Sequence, residues 1–100
     1  MARLNHEQLV AAMETHLEAS ADPSGAADLV SSKGSIVVAA EPELMKAAFK
    51  RVKKVQGYRW VAINREDLFA ANTLSLGSKA GIIDGDGKVL KAADVPRKKI

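Results

Sequence analysis

Ser35-Ile36-Val37-Val38-Ala39-Ala40, the helical stretch from Pro42 to Gln56, and Tyr58-Arg59-Trp60-Val61-Ala62-Ile63 together decide the fold. The first run is β-branched and almost wholly apolar, the composition of a strand covered on both faces. Pro42 suits the first turn of a helix, and Gly57 is a natural stop after about Gln56. Between them Leu44, Met45, Ala48, Phe49, Val52 and Val55 form an apolar stripe about 140° wide at 100° per residue. Lys46, Lys50, Lys53 and Lys54 take the opposite side, and the lysines of the last turn suit the negative end of the helix dipole. Tyr58–Ile63, aromatic and β-branched, reads as a second strand. Strand, helix and strand in this order predict a right-handed parallel crossover.

Upstream, Asn5 and Gln8 have the spacing of a capping box. A helix to about Ser20 places Leu9, Val10, Met13 and Leu17 on one side and Glu7, Glu14 and Glu18 on another. Asp22-Pro23 offers a further N-cap with proline behind it, so a short helix to Ser32 is expected, ended by Gly34. A hairpin through Leu29–Ser31 is the competing reading. Downstream, Asn64 caps a helix with Glu66 and Asp67 in its first turn, ending near Gly77. Gly81-Ile82-Ile83 and Lys88-Val89-Leu90 then flank the turn sequence Asp84-Gly85-Asp86-Gly87. The expected architecture is α+β: a single small domain over residues 1–100, with helices packed on a small mixed sheet and a C-terminal β-hairpin. Residues 95–100 read as a frayed basic tail.

Composition narrows the function classes. Of 100 residues, 47% are hydrophobic, but 17 of those are alanines, which leaves one modest core and little surplus for a roomy interior pocket. The absence of cysteine removes disulfides, thiolate nucleophiles and thiolate metal sites, and fits a reducing cytoplasm. No apolar run approaches the roughly 20 residues of a membrane span. The N-terminus passes straight into helix signals without a signal-peptide core. Charge is unevenly divided. Residues 1–45 carry Arg3 and Lys33 against seven carboxylates, a balance of −5, while residues 46–100 carry 13 basic and 5 acidic side chains, a balance of +8. Such a division points either to a basic face with an anionic partner or to association between copies.

Catalytic constellations are missing. His6 and His16 are ten residues apart on one helix, a separation of about 15 Å, and cannot share a metal ion. His6 is expected at the core edge. Glu41 and Glu43 sit beside a helix N-terminus, where the dipole accounts for them. Read as a calcium loop from Asp84, the sequence puts Lys88, Val89 and Val95 where ligands or glycine belong, so the hairpin reading wins. Gly77-Ser78-Lys79 lacks the rest of a phosphate-binding loop. Gly57-Tyr58-Arg59-Trp60-Val61 partly matches the RNA-binding strand signature, but Gln56, Arg59 and Ile63 break it. A winged helix fails on the acidic first turn of Arg65–Leu76 and on the strand that precedes it.

The expected function is non-enzymatic binding, without metal or cofactor. Nucleic acid is the leading partner class, with Lys46, Lys50, Lys53 and Lys54 on phosphates, Arg59 assisting and Trp60 as a stacking platform. The alternative is a protein adaptor or small inhibitor, self-associating in one version, with the basic face serving solubility. Its candidate anchors are Trp60, Tyr58 and Phe69, each with a core role open to it. Neither a small-molecule substrate nor a membrane is indicated.

Overall fold

The computed structural model describes residues 3–55 and 57–94, so the expected tail at 95–100 lies outside the described residues. Helix α1 (His6–Leu17) is followed by strands β1 (Ser20–Ala21), β2 (Leu29–Ser31) and β3 (Gly34–Ala39). Helix α2 (Pro42–Val52), strand β4 (Arg59–Ile63), a 3-10 turn (Arg65–Asp67) and helix α3 (Leu68–Ser75) come next. Strands β5 (Gly81–Ile83) and β6 (Val89–Lys91) close the chain. All six strands form one mixed sheet in sequence order. β3, β4 and β5 run parallel, Ile36 beside Trp60 and Trp60 beside Gly81, while β1, β2 and β6 are antiparallel to their neighbours.

Strand alternation sorts the core into two layers. Val37, Ala39, Val61, Ile63 and Ile82 face α2 and α3, where Met45, Ala48, Phe49, Val52 and Ala71 cover them. Ile36, Val38, Trp60, Ala62 and Ile83 face α1, which contributes Leu9 and Met13. The wholly apolar strands at 36–39 and 60–63 are thus covered on both faces, as expected of parallel strands. The α+β expectation holds, with the helices split between the two faces.

Several boundaries shift for local reasons. Asn5 and Gln8 do close a capping box, but α1 stops at Leu17, where Glu18 turns left-handed at φ 54°. His6 is exposed rather than at the core edge. The helix expected over residues 22–32 does not form. The Asp22 carboxylate accepts from the amides of Ser24 and Ala27 and from the Ser24 hydroxyl, Gly25 takes φ 75°, and the segment becomes a loop. Leu29–Ser31 instead pairs with β3 through a two-residue turn, so the hairpin reading prevails. α2 ends at Val52, leaving Lys53 and Lys54 in the following turn. Asn64 sits at the N-cap of a 3-10 turn that precedes the shortened α3, but its side chain makes no capping bond and is drawn to the N-terminal segment. No helix among the described residues is long and apolar enough to cross a membrane.

Candidate functional site

The α2–α3 layer carries the sequence-expected lysines. Lys46 and Lys50 stand four residues apart on the exposed side of α2, with Lys53 three further on at its end, so the three form one row. Lys54 is exposed beside them in the turn. None of the four takes part in the three salt bridges found among the described residues. Like charges at this spacing repel by a few tenths of a kcal/mol per pair, so the row is a local cost to the helix that an anionic partner would offset. Arg51 points away from the row, to the Asp28 carboxylate at 2.9 Å and the Gly25 carbonyl at 3.0 Å.

Arg59 and Trp60 serve the fold. The Arg59 guanidinium donates to the Val55 carbonyl at 2.7 Å and the Ser78 carbonyl at 3.2 Å, tying the loop after α2 to the loop before β5. Trp60 faces α1, across the sheet from the lysines, and is only 7% exposed. Its indole N–H donates to the Lys33 carbonyl at 2.8 Å, and its ring lies where a Gly81 side chain would otherwise be. The Lys33 ammonium sits 5.9 Å from the ring centroid. A ring enclosed in this way has no open face for a base, which corrects the stacking role expected of it.

Phe69, a candidate anchor with a core role open to it, does not take that core role: its side chain is 92% exposed. Leu76, just past the end of α3 but still in helical conformation, is 70% exposed. Seven residues apart, the two share one line along the helix. Phe69 borders a groove of about 570 Å³ with Leu68, Asn72, Leu90 and Lys91. Beyond that groove, β6 ends the sheet, with one edge unpaired among the described residues. On α3, Leu68, Ala71 and Ser75 fall on one stripe and Phe69 and Leu76 on another, and helical periodicity alone does not rank them. Ala80 and Ile82 settle the choice by covering the first stripe, and both are distant in sequence.

A second polar centre lies at the carboxyl ends of the parallel strands, where Ala40, Asn64 and Asp84 follow β3, β4 and β5. Arg3 donates to both oxygens of the nearly buried Asp67 at 2.9 and 2.7 Å and to the Ala40 carbonyl at 2.9 Å. Those hydrogen bonds to Asp67 lift the Arg3 guanidinium still further above its ordinary range. Asn64 accepts from the Leu4 amide at 2.8 Å and donates to the Leu4 and Ala40 carbonyls, both at 2.9 Å. The segment Arg3-Leu4 is thereby strapped over the strand ends. No family model matches the chain, and neither a curated protein nor a solved structure matches it.

Proposed function

We propose that this chain is a non-enzymatic binding module whose α2–α3 layer docks an acidic protein segment carrying an apolar side chain. The observation that carries the reading is Phe69, 92% exposed in line with Leu76 on the layer that also bears the unpaired lysines. Exposed large apolar side chains in a line are what binding anchors look like, and surrounding charge steers and orients the partner. The groove beside Phe69 gives an apolar side chain a place to settle, and the open β6 edge offers an extended segment a ladder. The site keeps Lys46, Lys50, Lys53 and Lys54 and leaves Arg59 and Trp60 to the fold. A random-peptide display selection tests it. Survivors are expected to combine Asp or Glu with Leu, Phe or Trp and to be lost on Phe69→Ser; survivors indifferent to that substitution would refute it.

Four lysines without an ion-pair partner support a second reading, nucleic-acid binding by phosphate contact alone. Such binding would carry no base readout and would collapse between about 50 and 200 mM salt. Anisotropy of labelled single- and double-stranded oligonucleotides at both salts distinguishes the two. Steep salt loss that Lys50→Glu/Lys53→Glu abolishes would favour nucleic acid, and no binding at low salt would remove it.

A further inference from the structure

Two carboxylates occupy comparable places beyond the parallel strands, and they differ in what satisfies them. Asp67, after β4, receives the Arg3 guanidinium on both oxygens. Asp84, after β5, is only 1% exposed and uses one oxygen alone. Its Oδ1 accepts the amides of Asp86 and Lys88 at 2.9 and 3.0 Å, which holds the β5–β6 turn. Its Oδ2 is buried and has no hydrogen-bond partner. The turn does not need that oxygen. Asparagine would accept the same two amides and is at least as good a hairpin residue ahead of glycine. Leaving a buried acceptor unmatched is costly, so the second oxygen calls for an explanation outside the turn.

Asp84 lines a cavity of about 460 Å³ with Leu4, Asn64, Arg65, Glu66, Gly85 and Asp86. Three carboxylates border it; Glu66 is paired with Arg3 at 3.4 Å, so Asp84 and Asp86 are left against the one cation of Arg65, and Leu4 supplies an apolar wall. Asn64 has its amide committed to the Leu4 and Ala40 backbone and adds no free group. No three carboxylate or imidazole groups among the described residues converge as a metal-ion ligand set. The chemistry that fits is a positively charged N–H donor on a short apolar stem.

We propose that this cavity binds a small organic cation, an alkylamine or alkylguanidinium, whose N–H donates to Asp84 Oδ2 while Asp86 meets its charge at the rim. Leu4 is the gate. Leu4 also lines a second cavity of about 450 Å³, with Arg3, Asn5, His6, Ala40, Glu41 and Leu44. The Leu4 side chain therefore has space to move into when a ligand reaches the buried oxygen. The site is separate from the α2–α3 layer and does not depend on what that layer binds.

The test follows the backbone amides of Leu4, Gly85, Asp86 and Lys88 by proton–nitrogen NMR while agmatine is added to about 10 mM, against sodium chloride at matched ionic strength. Saturable shifts at these amides are expected. Asp84→Asn keeps the turn and should weaken binding by about tenfold or more without lowering the thermal midpoint. Asp86→Asn, which removes only a rim charge, should weaken it by a few fold and covers the case in which the first variant fails to fold. A blocked Gly-Arg-Gly peptide separates sources. Binding of agmatine alone means a free cation, and binding of the peptide as well or instead means that an arginine side chain can supply the same group. Shifts no different from sodium chloride with both probes, or unchanged agmatine binding by Asp84→Asn, would overturn the proposal.

Discussion

At Gly81 an added Cβ would run into the Trp60 ring carbons and the Ala93 amide. The glycine is there so that the indole of the neighbouring strand can lie across it and reach the Lys33 carbonyl. Gly81→Ala should cost about 2 kcal/mol by forcing the ring off its place, seen as a thermal midpoint lower by roughly 10 °C; an unchanged midpoint would mean that the ring is loosely held. Asp22 acts at the same scale. Its hydrogen bond from the Ala27 amide, then those from Ser24, hold its carboxyl below the ordinary value of 3.8. The folded form therefore binds that proton less readily than the unfolded chain. The stability this gives is fully present above about pH 4 and is lost as pH falls through the folded value. Asp22→Asn should flatten the acid side of the stability profile, measured by urea midpoints between about pH 5 and pH 2; an identical profile would count against the loop geometry.

Among the elements, the Arg3-Leu4 strap makes the sharpest mutational contrast. Arg3→Ala leaves the nearly buried Asp67 carboxylate without its cation and should lower the thermal midpoint, by less than a fully buried pair would because the arginine is itself part-exposed. Arg3→Lys should recover only part of that, since an ammonium cannot match both carboxylate oxygens and the Ala40 carbonyl as a planar fork does. Equal stabilities for the two variants, by thermal melting, would show the contact to be a surface pair. Much of the element order was legible, because Ile36–Ala40, the Pro42–Val52 stripe and the Asp84–Gly87 turn each carry a local signal that burial then reinforces. The failures arose where distant groups decide. Asp22-Pro23 has the chemistry of a helix start, yet Leu29–Ser31 gains more by pairing with β3. Asn64 has the chemistry of a cap, but Leu4, sixty residues earlier, claims its side chain. Lys53-Lys54-Val55 continues the periodicity of α2 for a further turn, but the Lys54 and Val55 amides bond back only three residues, to the Arg51 and Val52 carbonyls, so the regular helix ends at Val52.

For the molecule as a whole, the sheet separates two chemistries that the sequence had only divided by halves. Glu7 and Glu14 lie on α1 on one side, while the lysine row and the exposed Phe69 and Leu76 lie on the other. The lysines of the candidate site were legible as an unpaired helical row. Phe69 was legible as an anchor but not as an exposed one, because exposure depends on which face of α3 meets β5. A surface that joins apolar anchors to unpaired cations should respond to salt in a characteristic way. Anisotropy of the tightest selected peptide should be measured at about 50 and 200 mM salt on the parent, Phe69→Ser and Lys50→Glu/Lys53→Glu. The account predicts that Phe69→Ser loses about tenfold or more at both salts, while the lysine double variant loses mainly at low salt with its thermal midpoint nearly unchanged. Binding that collapses with salt and ignores Phe69 would contradict it, leaving the lysine row as a plain polyanion contact.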